Sequence, residues 1–409
     1  MLDLSPHVRP GDGVWWGQAG AEATPLVDTL LDQIDDVGPV RAFCGLSLNR
    51  RLRDPPPGLA LSSYGAMGEL RAASATGRLD VVPVHYSVLP RLFAERLLPG
   101  DVGLVQVSPP GPDGRCSLGI GAEYAADAVR HSRTLIAEIN HRMPATAGTD
   151  GVPLDRFAAV VETDRALPEA PGRAPDAVDE AIAAHVAGLI SDGDTVQLGV
   201  GALPTAILDG LVGHRDLGVH SGMITDGVLR LVEKGVITGA RKEIDPGVVV
   251  TGAALGSTEL YASLSRIPVA FRAASYTHAP AVLARLSRLV AMNSALEVDL
   301  TGQVGAEVAR GRYLGGIGGQ ADFSGAAART GACSIIALHS TSGGESTIVP
   351  ALRGGAVTTA RADVDAVVTE HGVAWLRGCP LSERGPRLVA AAAPEHRDAL
   401  LRALREEHR

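Results

Sequence analysis

Length, composition and charge limit what this 409-residue chain can be. A net charge of −9 and an aromatic content of 3% argue against a nucleic-acid partner, because such partners require a clustered basic surface or stacking platforms. With 45% hydrophobic residues, the chain is long enough for two or three globular domains. We expect a cytoplasmic protein without a membrane partner, because the N-terminus resembles no signal peptide and the apolar stretches are too short to span a bilayer.

Strand-like and helix-like stretches alternate along the first half of the chain. "RLDVVPVHYSVLPRLF" and "GDVGLVQVSPPGPDGRCSLGIG" each predict a strand, a loop and a helix. The proline-rich stretch Glu162–Glu180 has the composition of an interdomain linker. We therefore predict an α/β fold with two similar open α/β domains and mainly parallel sheets, one domain spanning residues 1–175 and the other residues 176–409.

The second half repeats this alternation. Apolar residues recur at helical spacing from Val178 to Ile190, and Asp176 is placed to cap that helix, which "SDGD" ends. "TVQLGVGALP" predicts a buried strand that runs into a glycine-proline loop, with a helix from about Thr205. The terminal "EHRDALLRALREEHR" predicts an exposed amphipathic helix.

The cysteines and histidines do not indicate a metal site. The four cysteines lie far apart without a CxxC pair, and no HExxH spacing occurs. We expect reduced, mostly buried thiols, neither a disulfide framework nor bound metal. These cysteines are Cys44, Cys116, Cys333 and Cys379.

The stretch "NSALEVDLTGQVGAE" carries two carboxylates that a short strand does not need. Leu296, Val298 and Leu300 alternate with Glu297 and Asp299, so the acidic side chains share one strand face. One interpretation is a solvated face. The other is a catalytic carboxylate at Glu297, with Asp299 in a structural hydrogen-bonding role.

Glycine-rich loops could supply backbone N–H donors to a site that contains this carboxylate. Gly199 and Gly201 follow a predicted strand, although Pro204 stands where a dinucleotide fingerprint needs its third glycine. The segment "GIGGQA" formally fits that fingerprint, but it follows a poor strand and no acidic residue stands at the expected distance. G-x-S-x-G and Walker A motifs are absent. A carboxylate combined with backbone N–H donors is suited to covalent acyl transfer.

Several motifs together resemble the acetyl-CoA hydrolase/transferase family. They include "NSALEVDLTGQVGAE", "GGIGGQADFSGAA", "VQLGVGALPTAIL", "HSGMITDGV" and "VVTEHGVAWLRG", with "VVPVHYSVLPRLF", "QVSPPGPDGRCSLG" and "AEINHRMP" in the first half. The resemblance runs from about residue 40 to about residue 405 and is nearest to the 4-hydroxybutyrate CoA-transferase branch of the class I CoA transferases. It implies acyl-CoA and a small carboxylic acid as substrates, no permanently bound cofactor, and a homo-oligomer, a dimer or a multiple of it.

The resemblance also implies roles for individual residues. Glu297 would attack the thioester, and the N–H groups of Gly316, Gly318 and Gly319 would stabilise the oxyanion. The remaining candidates contact CoA, the acyl group or the acid, or orient a neighbour: Gly199, Gly201 and Pro204 at CoA; Met223, Thr225 and Gly227 at the acyl cavity; Ser63 and Tyr64 at the acid; and Glu370 beside the site.

Other interpretations stay open from the sequence. Glu345 stands where relatives often carry a lysine, so Arg312 or Arg353 would have to replace that cation. His85, His220 and His339 are structural residues or, less simply, a base for water. The alternatives to a transferase are an acyl-CoA hydrolase that uses the same glutamate, a non-catalytic CoA- or nucleotide-binding protein and, most distantly, a dinucleotide-dependent oxidoreductase.

Overall fold

The structure is a computed structural model that describes residues 2–170, 173–309 and 311–407. The chain folds into two compact units, each discontinuous in sequence. The first unit comprises Met1–Pro171, Val250–Ala279 and Tyr313–Gly318, and the second comprises Gly172–Val249, Pro280–Arg312 and Gly319–Arg409. The division into two continuous domains, residues 1–175 and residues 176–409, stays a prediction.

The strands and helices are short and alternate along the chain. The strands are β1 (Gly13–Trp16), β2 (Val40–Phe43), β3 (Leu59–Ser63), β4 (Asp80–Val81), β5 (Val102–Val107), β6 (Arg115–Cys116), β7 (Thr134–Asn140), β8 (Val152–Pro153), β9 (Ala159–Thr163), β10 (Thr195–Leu198), β11 (Gly218–Val219), β12 (Met223–Ile224), β13 (Val249–Thr251), β14 (Ala253–Ala254), β15 (Val269–Phe271), β16 (Leu289–Ser294), β17 (Glu297–Asp299), β18 (Val304–Gly305), β19 (Val308–Ala309), β20 (Arg312–Tyr313), β21 (Cys333–Ala337), β22 (Thr341–Ser342), β23 (Glu345–Ser346), β24 (Ile348–Val349), β25 (Ala366–Thr369) and β26 (Gly372–Trp375). The α-helices are α1 (Thr24–Asp32), α2 (Ile34–Val37), α3 (Leu70–Ala75), α4 (Leu89–Ala94), α5 (Glu123–Ala128), α6 (Ala177–Ala187), α7 (Ala202–Gly210), α8 (Asp226–Glu233), α9 (Thr258–Ser263), α10 (Ala274–Thr277), α11 (Pro280–Leu283), α12 (Gln320–Thr330), α13 (Leu381–Ala391) and α14 (Pro394–Glu407).

The first unit contains a seven-stranded sheet in the order β4-β3-β2-β1-β5-β7-β9. Its pairings are parallel, with Val14 opposite both Ala42 and Val102. Every residue of β5 is buried, as expected for a parallel strand covered on both faces. Trp15 packs edge-on against Phe93, with ring centroids 6.0 Å apart, inside this core.

The second unit contains a six-stranded sheet in the order β11-β10-β16-β21-β25-β26. The pairings are parallel except for the antiparallel edge pair β25–β26. The chain leaves β10 toward β11 on one side, whereas β16 lies on the other side of β10. At such a reversal the connections diverge and leave a crevice at the carboxyl ends of the strands.

These sheets confirm the predicted fold class, a mixed α/β fold with mainly parallel sheets. Asp176 caps α6 as expected, since its side chain accepts from the N–H groups of Val178 and Asp179. The helix after β10 begins at Ala202, earlier than the expected Thr205. Pro204 is tolerated there because the first helical turn needs no N–H donor.

Three further expectations have different outcomes. The predicted C-terminal helix is confirmed as α14. The helix α6 ends at Ala187, so Leu189 and Ile190 lie beyond it, contrary to the expected span. The cysteines are free thiols, but Cys333 and Cys379 are only half-buried. None of the helices in the described ranges is long and apolar enough to cross a membrane.

Candidate functional site

A cavity of about 520 Å³ lies in the second unit, at the carboxyl ends of the adjacent strands β10, β16 and β21. Its walls are formed by the residues that directly follow these strands, together with residues of α6 and the segment Thr341–Thr347. Ligands of parallel α/β sheets bind at this edge, and the volume is typical of small-molecule sites, about 300–1,000 Å³. The lining residues are Arg173, Asp179, Val200, Gly201, Ala202, Leu203, Pro204, Ser294, Ala295, Leu296, Ala337, Leu338, His339, Thr341, Ser342 and Thr347.

The glycine loop after β10 opens one wall of this cavity. Gly199 and Gly201 are exposed, and a Cβ atom at Gly199 would meet no atom within 4 Å. Gly201 has φ +125°, which favours glycine, and it precedes α7 without a side-chain cap. The N–H groups of Ala202 and Leu203 therefore lack intrahelical acceptors and point out of the helix start. The loop and helix start together suit an anionic group.

On another wall, His339 is paired with a buried aspartate. His339 Nε2 lies 2.7 Å from Asp179 Oδ1, and Arg173 Nη2 lies 2.6 Å from Asp179 Oδ2. The Asp179 side chain is only 1% exposed. Burial alone would raise the pKa of Asp179, but hydrogen bonds from the Asp176 N–H, His339 and Arg173 outweigh it and lower that pKa. Asp179 is therefore a carboxylate at neutral pH.

The loop that carries His339 is fixed by two further contacts. Glu370 accepts hydrogen bonds from the Ser340 N–H at 3.0 Å and from Ser340 Oγ at 2.6 Å. Thr347 Oγ1 donates to the His339 carbonyl at 2.6 Å. Glu370 thus fixes Ser340, the residue next to His339, and its expected role beside the substrate stays a prediction.

The same cluster has three side chains of metal-binding types close together. Ligand atoms of Asp176, Asp179 and His339 lie within 4.8 Å of one another. However, Arg173 donates to both aspartates, and the Asp176 carboxylate also accepts from the N–H groups at the start of α6. A cation would have to displace this guanidinium, so the donor set does not fit a metal ion. The expected absence of a metal from the whole site stays a prediction.

Glu297 is buried and fully hydrogen-bonded. It is 5% exposed, Oε1 accepts from the Gly354 N–H at 3.0 Å, and Oε2 accepts from Arg353 Nε at 3.2 Å. Asp299 is also buried and accepts from the N–H groups of Thr301 and Gln303 in the turn after β17. The solvated-face interpretation is therefore wrong, and the structural role of Asp299 is confirmed.

Arg353 links Glu297 to Glu345. Arg353 Nη1 lies 2.8 Å from Glu345 Oε2, and its Nη2 donates to the Ser346 carbonyl at 2.7 Å. Glu345 is thus neutralised by the arginine that also binds Glu297. Of the described residues that line the cavity, Leu296 is the chain neighbour of Glu297. Glu297 itself is not one of the described residues that line the cavity.

The glycine loop 315–319 is divided between the two units. Gly316 and Gly318 belong to the first unit and Gly319 to the second. A Cβ atom on Gly316 would lie 2.7 Å from the Tyr64 carbonyl oxygen, so close backbone packing explains this glycine. Gly318 has φ +53° and faces open space, and Gly319 precedes α12 as its N-cap. Their role as oxyanion donors stays a prediction.

Ser63 and Tyr64 are buried in the first unit. Tyr64 OH donates to Gln18 Oε1 at 2.6 Å, while Gln18 Nε2 and Tyr86 OH both donate to Glu123 Oε2. Burial raises the pKa of Glu123 to about 7. Sequence reasoning missed this cluster because no spacing pattern joins Gln18 to Glu123. The expected contact of Ser63 and Tyr64 with the acid stays a prediction.

The remaining candidates lie in the second unit around α8. Met223 and Thr225 are half-buried, and Thr225 is the N-cap of α8. Gly227 is buried, and a Cβ atom there would lie 2.6 Å from Leu208 Cδ1 of α7. Close packing of α7 and α8 therefore explains Gly227. Of the described residues that line the 520 Å³ cavity, none is Met223, Thr225 or Gly227, and their expected contact with the acyl group stays a prediction.

Comparisons with known proteins cover most of the chain. Models of the acetyl-CoA hydrolase/transferase N-terminal and C-terminal domains match residues 2–168 and 256–404. The 4-hydroxybutyrate coenzyme A transferase of Clostridium kluyveri is 40% identical over 339 residues, which cover 82% of this chain and 79% of that protein. The structure of RipA from Yersinia pestis is similar with a TM-score of 0.92 and 31% identity, covering 99% of this chain and 96% of that one. The structure of a 4-hydroxybutyrate CoA-transferase from Porphyromonas gingivalis gives a TM-score of 0.83 and 33% identity, covering 98% and 95%.

Proposed function

Because this chain belongs to the acetyl-CoA hydrolase/transferase family, we propose that it moves CoA between a short-chain acyl-CoA, such as acetyl-CoA, and a small carboxylic acid. The family resemblance predicted from the sequence is thereby confirmed. The observation that carries the proposal is the 520 Å³ cavity at the carboxyl edge of the second sheet. Relatives named as CoA transferases support it.

The chemistry of the cavity agrees with a CoA thioester. The loop 199–201 and the start of α7 offer backbone N–H groups to a phosphate of CoA. Arg173, which is paired with Asp176 and Asp179, borders the same cavity. The walls include the small residues Gly201, Ala202 and Ala337, which leave room for a chain but offer little surface to a long acyl group. We therefore propose that the substrate carries a short acyl group.

The proposed mechanism is covalent and proceeds through Glu297. Its carboxylate attacks the thioester carbonyl, the C–S bond breaks, and an acyl-glutamyl anhydride forms with release of CoA thiolate. The thiolate then attacks the glutamyl carbonyl, which releases the first acid and leaves a glutamyl-CoA thioester. A second carboxylate reverses both steps, so the kinetics are ping-pong. Gly316, Gly318 and Gly319 are the proposed oxyanion donors, each contributing about 3 kcal/mol to the transition state.

This mechanism is favoured when Glu297 exchanges a hydrogen bond for the substrate. Each oxygen accepts one hydrogen bond and keeps a second lone pair, and release from Arg353 or the Gly354 N–H makes that oxygen a better nucleophile. Arg353 is half-exposed and already bonded to Glu345, so its guanidinium keeps a partner when it moves away from Glu297. The pair Glu345–Arg353 is therefore the proposed counterpart of the cation that relatives often place at residue 345.

A second candidate function is the binding of a CoA ester without turnover. The observation that favours it is that Glu297 is buried and that both of its carboxylate oxygens are occupied by hydrogen bonds within the chain. A binding protein needs the cavity and its glycine loop but no accessible nucleophile. The family description also names hydrolysis, in which water instead of an acid would resolve the Glu297 intermediate.

Trapping of the intermediate tests these functions. The protein is incubated with acetyl-CoA, treated with borohydride and mapped by peptide mass spectrometry, together with Glu297→Gln and the control Glu307→Gln, which replaces another buried glutamate of the second unit. The transferase proposal predicts reduction of one glutamate to its alcohol at Glu297 in the wild type and the control only. An alcohol at another carboxylate would move the nucleophile there. No adduct and no transfer, with acetyl-CoA bound, would establish the binding function.

We also infer a homo-oligomer, a dimer or a multiple of it, that works in the cytoplasm without a permanently bound cofactor. The support for these inferences is the family membership. Light scattering coupled to gel filtration measures the oligomeric state, and the absorbance spectrum and intact mass of the native protein report a retained cofactor. A monodisperse monomer would contradict the first inference.

A further inference from the structure

The pair His339–Asp179 is arranged as a base with its orienting carboxylate. Asp179 Oδ2 is held by Arg173 and by the Asp176 N–H, and Oδ1 is directed at His339 Nε2 at 2.7 Å. Because a carboxylate only accepts hydrogen bonds, neutral His339 carries its proton on Nε2 and its lone pair on Nδ1. No described residue hydrogen-bonds Nδ1.

The position of the pair distinguishes it from an ordinary structural histidine. A structural histidine is usually buried with both ring nitrogens bonded, whereas the His339 side chain is 36% exposed and lines the 520 Å³ cavity. Its backbone is fixed by Thr347, and its neighbour Ser340 is fixed by Glu370. A rigidly held imidazole with a free lone pair at a cavity wall is the arrangement that general-base catalysis requires.

We propose that His339, oriented by Asp179, activates water in this cavity and that the protein thereby hydrolyses a bound acyl-CoA thioester without a covalent glutamyl intermediate. The proposal rests on the proposed function only for the class of substrate, a CoA thioester. It assigns a catalytic role to His339 and a positioning role to Asp179, independently of Glu297.

The atoms of the reaction balance without another reactant. Nδ1 removes a proton from water while the water oxygen bonds to the thioester carbonyl carbon, and the carbonyl electron pair moves to its oxygen. When the tetrahedral intermediate collapses, the C–S bond breaks and the imidazolium returns the proton to the leaving thiolate. The products are one carboxylic acid and one CoA thiol.

Thiol release from acetyl-CoA in the absence of an acceptor acid tests the proposal. We expect His339→Ala to lower this rate by about 100-fold or more, the usual contribution of a general base. Added imidazole should restore part of the loss, because the deleted side chain leaves space for it. The matched control is His141→Ala, which breaks another histidine–carboxylate pair, His141–Glu162, in the first unit. This control should release thiol at the wild-type rate.

Two measurements distinguish a catalytic role of His339 and Asp179 from a purely structural one. In H₂¹⁸O the product acid should carry one ¹⁸O atom and the recovered protein none, in Glu297→Gln as in the wild type. Water attack on a glutamyl carbonyl would label the protein, and water attack on the acyl carbonyl of an anhydride would be lost in Glu297→Gln. Asp179→Asn keeps an acceptor for His339 Nε2 but removes the charge that stabilises the imidazolium. We therefore expect it to lower kcat and to leave KM unchanged, without rescue by imidazole.

Exchange of ¹³C-acetate into acetyl-CoA, measured on the same proteins, distinguishes failure of this inference from failure of the proposed function. Thiol release that is unchanged in His339→Ala, or ¹⁸O in the protein, overturns the role of His339. Exchange without any thiol release overturns the inference and leaves the transferase intact. The absence of both exchange and release overturns both.

Discussion

Arg353 binds two glutamates at once: Nε lies 3.2 Å from Glu297 Oε2, and Nη1 lies 2.8 Å from Glu345 Oε2. Glu297 is buried, whereas Arg353 is 50% exposed and Glu345 58% exposed. The guanidinium therefore connects the proposed nucleophile to the solvent-facing side of the second unit. A charged group that approaches from solvent meets Arg353 before it meets Glu297.

Replacement of Arg353 should destabilise the protein more than loss of an ordinary surface ion pair. We expect Arg353→Ala to lower the free energy of unfolding by about 1.5 kcal/mol, because it leaves a buried carboxylate with one donor fewer. Urea unfolding of the whole protein measures the change. The control Arg230→Ala breaks an exposed pair with Asp209 in the same unit and should cost about 0.5 kcal/mol. Equal losses would show that Arg353 does not stabilise Glu297.

Alanine substitutions at Gly199 and Gly227 should have different effects, the first on ligand binding and the second on stability. The Cβ atom that Gly199→Ala adds has no atom within 4 Å, so the substitution should change the unfolding free energy by less than about 0.5 kcal/mol. If its N–H contacts a CoA phosphate, a Cβ atom there hinders the approach, and we expect an increase in KM for acyl-CoA of about tenfold, the loss of one charged hydrogen bond. Gly227→Ala is the counterpart: its Cβ would press on Leu208 Cδ1 at 2.6 Å and should cost about 2 kcal/mol of stability. An unchanged KM in Gly199→Ala would remove this loop from the CoA site.

The loop 315–319 allows a similar comparison. Gly316→Ala places a Cβ atom 2.7 Å from the Tyr64 carbonyl oxygen, and we expect a loss of about 2 kcal/mol of stability. Gly318→Ala faces open space at φ +53° and should cost about 1 kcal/mol from backbone strain alone. Alanine keeps the backbone N–H, so transfer by Gly318→Ala should persist at low temperature. Differential scanning fluorimetry measures the loss of stability. The transfer rate is measured at about 15 °C, well below typical unfolding transitions.

The buried carboxyl of Glu123 predicts a specific pH dependence. Burial raises its pKa from 4.5 to about 7, so between these values the folded state holds a proton that the unfolded state has lost. For this group, the free energy of unfolding therefore falls by about 3 kcal/mol as pH rises from 4.5 to 7, and it is level above pH 7. Glu123→Gln should consequently gain about 3 kcal/mol relative to the wild type between pH 4.5 and pH 8.

Denaturant unfolding at several pH values measures this difference. Glu22 shares the effect, since burial also raises its pKa to about 7, and a double variant should flatten the profile further. The matched control is Glu259→Gln, which removes an exposed carboxylate instead of a buried one. A Glu123→Gln difference that is constant with pH would contradict the assignment.

The fold could be predicted from the sequence because its signals are local. Buried β-branched runs such as the one around Val196 predict parallel strands, and Asp176 marks the start of α6 by capping chemistry alone. The glycine loop with Gly201 was predicted at the end of a strand, which is where the cavity lies, whereas Pro204 belongs to α7 and not to the loop.

The pairs that define the site could not be predicted, because they join residues that no local rule connects. Asp179 and His339 are separated by 160 positions, and Glu297 and Arg353 by 56. Alternation showed that Glu297 and Asp299 share a strand face but not that this face is covered. Only tertiary packing decides whether such a face is solvated or buried.

The measurement that tests the central claim most directly is CoA exchange between acids. The protein is mixed with acetyl-CoA and a panel of small carboxylic acids, and new acyl-CoA species are identified by liquid chromatography and mass spectrometry. The transferase account predicts at least one new acyl-CoA, with ping-pong dependence of its formation on both substrates. Release of free CoA and acetate without any new acyl-CoA would contradict it and identify the protein as a hydrolase.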